Sequence, residues 1–240
     1  MPVPPEKRVR FFVYIIETPS AVDLYQGRHE GTMLEQSLRL NQIPCAAHLA
    51  ISSEAFGAAV KIGLPEAMKA FPNLVPIIHI SAHGDSKGLV LSDSSRVDWH
   101  ELKTLLQPVN KALNRSLIVC MSCCEGYSGV QMAITLDQED YPFFALVGNH
   151  KSPTWAETSV AFSTFYHLLN KGHYVTEAVS AMNSAAGVSS FCVERAEDSR
   201  KYYIEYCNKH VLQTAQESLE QSASSEPKPE TAKYAQGSGS

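Results

Sequence analysis

Short apolar runs rich in β-branched and aromatic residues alternate along this chain with segments of helical periodicity, and that alternation restricts the fold more than any other feature. In Phe11–Glu17 the first six residues are apolar without a break, the pattern of a strand buried on both faces rather than on one. Cys45–Ile51, Leu74–Ser81, Leu117–Ser122 and Phe143–Val147 read as further strands. Gly31–Leu40 reads as a short helix with Leu34 and Leu38 one turn apart, Ser53–Ile62 as a second, and Pro65 opens a third from its first turn, ending near Phe71. Asp98 and Glu101 form a capping box ahead of a helix faced by Leu102, Leu105, Leu106 and Val109. Thr154 and Glu157 form another, ahead of a face built from Trp155, Phe162, Phe165, Tyr166 and Leu169. Val175, Ala178, Val179 and Met182 face a helix that Gly187 ends. Gly88–Leu91, Ser190–Val193 and Lys201–Tyr206 are weaker β segments, the last two read as a final strand and its hairpin partner. The expectation is an α/β fold of three layers: a central, mostly parallel sheet of about six strands with helices on both faces.

Composition narrows the function classes. The chain has 240 residues, 44% of them hydrophobic, enough for one sizeable core. With 20 Lys+Arg against 25 Asp+Glu its net charge is −5, and no basic run offers a nucleic-acid footprint. The longest apolar candidate, Leu74 to Ala82, is broken by Pro76 and His79, so no membrane span is expected. The apolar run after Arg10 is short for a signal-peptide core, and Glu17 stands where small cleavage-site residues belong, so the chain reads as cytoplasmic. Six cysteines are too few for a disulfide scaffold, and Cys45, Cys192 and Cys207 read as buried strand positions. Cys120 and Cys123 make a C-x-x-C without a second ligand pair, so neither a metal nor a cofactor is expected. Residues 1–213 read as one domain. Residues 214–240 read as a disordered polar tail whose terminal Gly-Ser-Gly-Ser looks like an appended linker.

In an open parallel sheet, function gathers at the carboxyl ends of the strands. One strand here ends in Ser81-Ala82-His83-Gly84-Asp85, another in Met121-Ser122-Cys123-Cys124-Glu125-Gly126. A cysteine needs a base to form a thiolate near neutral pH, and histidine is the natural partner. His79, an interior strand position, reads as structural. With these motifs the sequence resembles the caspase-like cysteine peptidases: caspases, metacaspases, separase and the bacterial CHAT-domain proteins. That family shows a strand ending in Ser-x-His-Gly and a later strand ending in a small residue and the catalytic cysteine. The CHAT form, Leu-Ser-Ala-Cys-Glu-Thr-Gly, is the nearest pattern, and Val147-Gly148-Asn149 and Trp155 also look CHAT-like. The resemblance covers roughly residues 10–190. It implies a cysteine endopeptidase acting on protein or peptide substrates, with His83 as base, Cys124 as nucleophile and the N–H groups of Gly84 and Cys124 as oxyanion hole. Matching Ser-Ala-Cys-Glu selects Cys124, whereas counting back from the glycine selects Cys123 as the alternative nucleophile.

Arg28-His29-Glu30-Gly31-Thr32 looks like the Arg-x-Gly-Thr segment that binds a P1 aspartate in caspases, with one residue extra. Glu17, Asp23, Asp85 and Glu125 lie near strand ends, and four acids against Arg28 favour a basic P1 side chain. Gly84, Gly88, Gly126, Gly129 and Gly148 read as hinges of loops around the dyad. With no room for a sensor domain, control is expected from outside: an activating small molecule, a partner protein or self-association. By resemblance the role is bacterial antiviral defence or regulated cell death. The rival reading is a catalytically silent caspase-like scaffold that senses a ligand or partner.

Overall fold

The first strand shows why the sheet is covered on both sides. Strand β1 (Phe11–Thr18) sends Phe12, Tyr14 and Ile16 into one apolar cluster and Val13 and Ile15 into another, all fully buried. Each such side chain contributes about 1.5–3 kcal/mol of apolar transfer energy. The computed structural model describes residues 10–135 and 140–224, with side chains to residue 210. A short helix α1 (Ala21–Tyr25) follows β1, then α2 (Glu30–Leu40) and β2 (Cys45–Leu49). Helix α3 (Ser53–Ala58) passes through a π-helical turn, Ala59–Gly63, into α4 (Leu64–Ala70). The Tyr14 hydroxyl donates to the Ala59 carbonyl at 2.6 Å, at the start of that widened turn.

Strand β3 (Val75–Asp85) is the longest, and β4 (Gly88–Val90) and β5 (Arg96–Asp98) fold back from its end as an antiparallel extension. Then come α5 (Trp99–Ala112), β6 (Ile118–Ser122), a 3-10 segment (Gly126–Ala133), β7 (Ala145–Asn149), α6 (Trp155–Asn170), α7 (Val175–Ala186), β8 (Phe191–Arg195) and α8 (Ala196–Ser224). The sheet order is β2-β1-β3-β6-β7-β8, parallel except for β8. One face carries α3, α4 and α5. The other carries α2, α6 and α7, whose Leu34, Phe162, Phe165 and Met182 are fully buried. The expected three-layer α/β architecture is what the chain adopts.

Both capping boxes stand where expected, at Asp98–Glu101 and Thr154–Glu157. Three local readings change. The hairpin partner assigned to Lys201–Tyr206 is part of α8, where Tyr202 and Tyr206 are exposed, so Cys207 lies on a helix. Cys192 is on β8 but only half-buried, whereas Cys45 is buried as expected. Gly84, Gly126 and Gly148 mark close approaches rather than hinges: a Cβ on Gly148 would lie 2.6 Å from the Tyr127 nitrogen. The chain divides into two units, Met1–Lys201 and Tyr202–Ser240. The first residues of the segment read as a polar tail lie on α8, and residues 225–240 fall outside the described set.

Candidate active site

The chain runs outward from β1 to β2, then crosses back to β3 and on to β6. The strand order therefore reverses beside β1, and the carboxyl ends of β1 and β3 open a crevice there. The β3–β6 ladder pairs His79 with Cys120 and ends at Ser81 with Ser122. His83 lies two residues beyond that last rung on β3, and Cys124 lies two residues beyond it in the turn that follows β6. Side chains alternate across a strand, so His79, Ser81 and His83 share one face with Cys120 and Ser122. This is the α2–α6 face: Cys120 packs in its apolar cluster, and His79 stacks edge-on against Phe162 at 4.6 Å. Cys123 points to the other face, into the cluster of Met121, Ala82 and Ile80, and is only 3% exposed. Burial, with the charges of Cys124, Asp85 and Glu30 nearby, pushes the Cys123 thiol far above its ordinary range.

His83 and Cys124 line one cleft of about 480 Å³ together with Asp23, Arg28, Ser122, Trp155 and Thr158, and the nearly buried Cys123 also borders it. His83 is oriented by Asp23, whose Oδ2 lies 2.6 Å from Nε2. An ionised carboxylate only accepts, so Nε2 carries the proton and the neutral ring keeps its Nδ1 lone pair as a base. Trp155, the first residue of α6, donates from its indole nitrogen to Asp23 Oδ1 at 3.3 Å and sets its ring edge-on to His83 at 5.4 Å. Arg28 Nε meets the same Oδ1 at 2.9 Å. Asp23 itself is fixed by the capping box of α1, in which the Ser20 hydroxyl accepts from the Asp23 N–H at 3.1 Å.

A second polar group lies beside these residues. Glu30, the first residue of α2, is buried and accepts from Ser122 Oγ at 3.0 Å, and from Ser81. His79 Nε2 lies 3.4 Å from its other oxygen, and His79 Nδ1 lies 3.1 Å from the Tyr166 hydroxyl. Burial pushes the Glu30 carboxyl up, but the His79 charge and these hydrogen bonds outweigh it and hold the group below its usual range.

The loop after Cys124 is anchored rather than loose. Glu125 takes a left-handed conformation (φ 52°), a strain of about 1–2 kcal/mol for a residue with a Cβ, and its N–H donates to the Lys151 carbonyl at 2.8 Å. Tyr127 donates to Glu194 at 3.0 Å and packs on His150 at 3.9 Å. Gly84 comes so close to this turn that a Cβ there would lie 3.2 Å from the Cys124 carbonyl oxygen.

Of the five residues read as pocket candidates, Asp23 and Arg28 line the cleft and the other three do not. Glu17 is buried, with Oε1 accepting from the Gly31 N–H at 2.8 Å. Asp85 is paired with Arg96 on β5. Glu125 shapes the turn. Asp23 is engaged by His83, Arg28, Trp155 and Ser20, so the four acids do not assemble a basic-P1 pocket. Sequence reading missed Asp23 as the partner of His83 and missed Glu30 altogether. The Ser20-x-x-Asp23 spacing was a capping-box signal that could have placed α1, and Asp23 with it, directly after β1. Among the described residues no cluster of side chains has metal-ligand geometry, and no helix is long and apolar enough to cross a membrane.

No family model matches this sequence, and no curated protein sequence does. Among solved structures, the crystal structure of caspase-1 from Spodoptera frugiperda is similar, with a TM-score of 0.51 over 82% of this chain and 95% of that one. The fold is caspase-like. At 10% sequence identity the likeness is one of fold. The caspase-like frame accounts for the helices on both faces of the sheet, while the narrower likeness to CHAT-domain proteins rests on sequence motifs alone.

Proposed function

We propose that this chain is a caspase-like cysteine endopeptidase of protein substrates, with Cys124 as nucleophile and His83 as base. The observation that carries the reading is the shared cleft: His83 and Cys124 line it together, just past the ends of neighbouring strands, with Asp23 2.6 Å behind the imidazole. His83 Nδ1 takes the thiol proton, and the Cys124 thiolate attacks the scissile carbonyl. The N–H groups of Gly84 and Cys124 receive the oxyanion. His83 returns the proton to the leaving amine. Water then opens the thioester, giving one proton to His83 while its oxygen bonds the acyl carbon, and the proton passes back to the departing thiolate. Asp23 holds the ring in the tautomer each step needs and faces the imidazolium as it forms. The half-exposed Arg28 beside Trp155 favours an acidic P1 side chain over the basic one that the count of acids had favoured.

The resemblance extends this reading to an externally triggered role in bacterial antiviral defence or regulated cell death. The test is cleavage of a fluorogenic library varied at P1, with and without lysate of infected or stressed cells. Cys124→Ala and His83→Ala should each abolish cleavage, Cys123→Ala should retain it, and acidic P1 substrates should lead. Cleavage that survives Cys124→Ala but not Cys123→Ala moves the nucleophile by one residue. No cleavage or thiol labelling under any trigger leaves the silent sensor as the reading.

A further inference from the structure

Glu30 is a buried carboxylate that the proposed chemistry does not use. A charge in a core is costly unless it is fully hydrogen-bonded, and replacing a buried ion pair by apolar side chains often leaves stability unchanged or improved. Stability alone therefore gives weak grounds for its place. Its position against the last rung of the β3–β6 ladder gives stronger ones. The backbone pairing of β3 with β6 stops at Ser81 and Ser122. Beyond that rung β3 turns to pair with β4, from His83 onward, while β6 gives way to the turn at Glu125. His83 and Cys124 thus stand past the last backbone tie between their strands.

Resting on the Cys–His reading, we propose that Glu30 is the positioning residue of the dyad: its carboxylate accepts one serine hydroxyl from each strand, Ser81 from β3 and Ser122 from β6, and so fixes the separation of His83 and Cys124. Ser81 lies two residues before His83 on the same face of β3, and Ser122, the last residue of β6, lies two before Cys124. The Ser122 arm is 3.0 Å long, and His79 at 3.4 Å holds the second carboxylate oxygen from beneath. Glu30 is held in turn by its own segment, where the next residue, Gly31, donates its N–H to Glu17 at the end of β1 at 2.8 Å. Two residues earlier, Arg28 grips Asp23 at 2.9 Å. The run from Arg28 to Gly31 therefore ties the base's partner and the strand ends to one short stretch of backbone.

A clamp with two arms has a signature that a set of independent packing contacts lacks: losing either arm releases it, and losing the second adds nothing. The readout is alkylation of Cys124 by iodoacetamide in the intact protein at about pH 6.5, where an ordinary thiol is about 99% protonated. The wild type should react faster than His83→Ala. Ser81→Ala and Ser122→Ala should each slow the reaction by about tenfold, and the double variant should be no slower than the slower single. Glu30→Gln should match them, and if it does not fold the serine variants still decide. Single variants reacting at the wild-type rate, or a double variant slowed by the product of the singles, would overturn the clamp while leaving the dyad in place. Equal rates for wild type and His83→Ala would take down the Cys–His reading and the clamp with it.

Discussion

Asp23 keeps its charge in a setting that ordinarily removes it. Burial raises its carboxyl, but hydrogen bonds from Ser20, His83 and Trp155, with the charge of His83, outweigh that and hold it down at about 2. A carboxyl lowered in the folded state adds stability that is complete above its unfolded value, near 3.9, and is lost as pH falls through about 2. Asp23→Asn should therefore be less stable than wild type at pH 7, with the gap closing toward pH 2 in denaturant melts taken across that range. The same variant unsettles the His83 tautomer, and peptide cleavage should fall by on the order of 10²-fold or more, with KM changed less than kcat. Ser-x-His-Gly and Ser-x-Cys-Glu made His83 and the Cys123–Cys124 pair legible as candidates. The sequence did not show their partners, because Asp23 and Glu30 reach the site through tertiary contacts with residues 60 and 92 positions away.

Helix α1 has five residues, too few to be stable alone, and its capping box does the work that length cannot. Ser20 both caps the helix and holds Asp23, so Ser20→Ala should cost about 1 kcal/mol in stability and also lower kcat. A loss of stability with kcat intact would separate the cap from the site. Elements were legible where the local signal and the tertiary setting agreed. Strand β1 is apolar from Phe11 to Ile16 and is buried on both faces, and Asp98–Glu101 and Thr154–Glu157 start α5 and α6 where their spacing says. Residues 201–206 misled because Tyr202, Tyr203 and Ile204 have strong β propensity. Tyr202 and Tyr206 are exposed and among the described residues no strand pairs with this stretch, so the backbone bonds were met by continuing α8. The break of register after Ser122 had no sequence signature either. Whether a ladder ends is decided by its neighbours, here β4 on one strand and the Glu125 turn on the other.

Across the whole molecule, three features converge on one cleft: the strand-order reversal, the end of the β3–β6 ladder, and the short polar segment that follows β1. The loops around it are tied by Glu125 to Lys151 and by Tyr127 to Glu194, so opening the cleft costs specific hydrogen bonds. We expect the isolated protein to cleave peptides slowly and an external signal to release it. Tyr127→Phe, which removes one of those ties and leaves the cleft residues in place, should raise the basal rate in the unstimulated assay. A purified protein already at full rate, unchanged by Tyr127→Phe and by added lysate, would show that no such restraint operates. The account as a whole turns on one thiol and one imidazole. Its most direct measurement is covalent capture: the protein is treated with a peptidyl acyloxymethyl ketone, digested, and the modified cysteine located by mass spectrometry, alongside His83→Ala. We predict an adduct on Cys124 that His83→Ala abolishes. An adduct on Cys123, or one on Cys124 that forms equally well without His83, would contradict it.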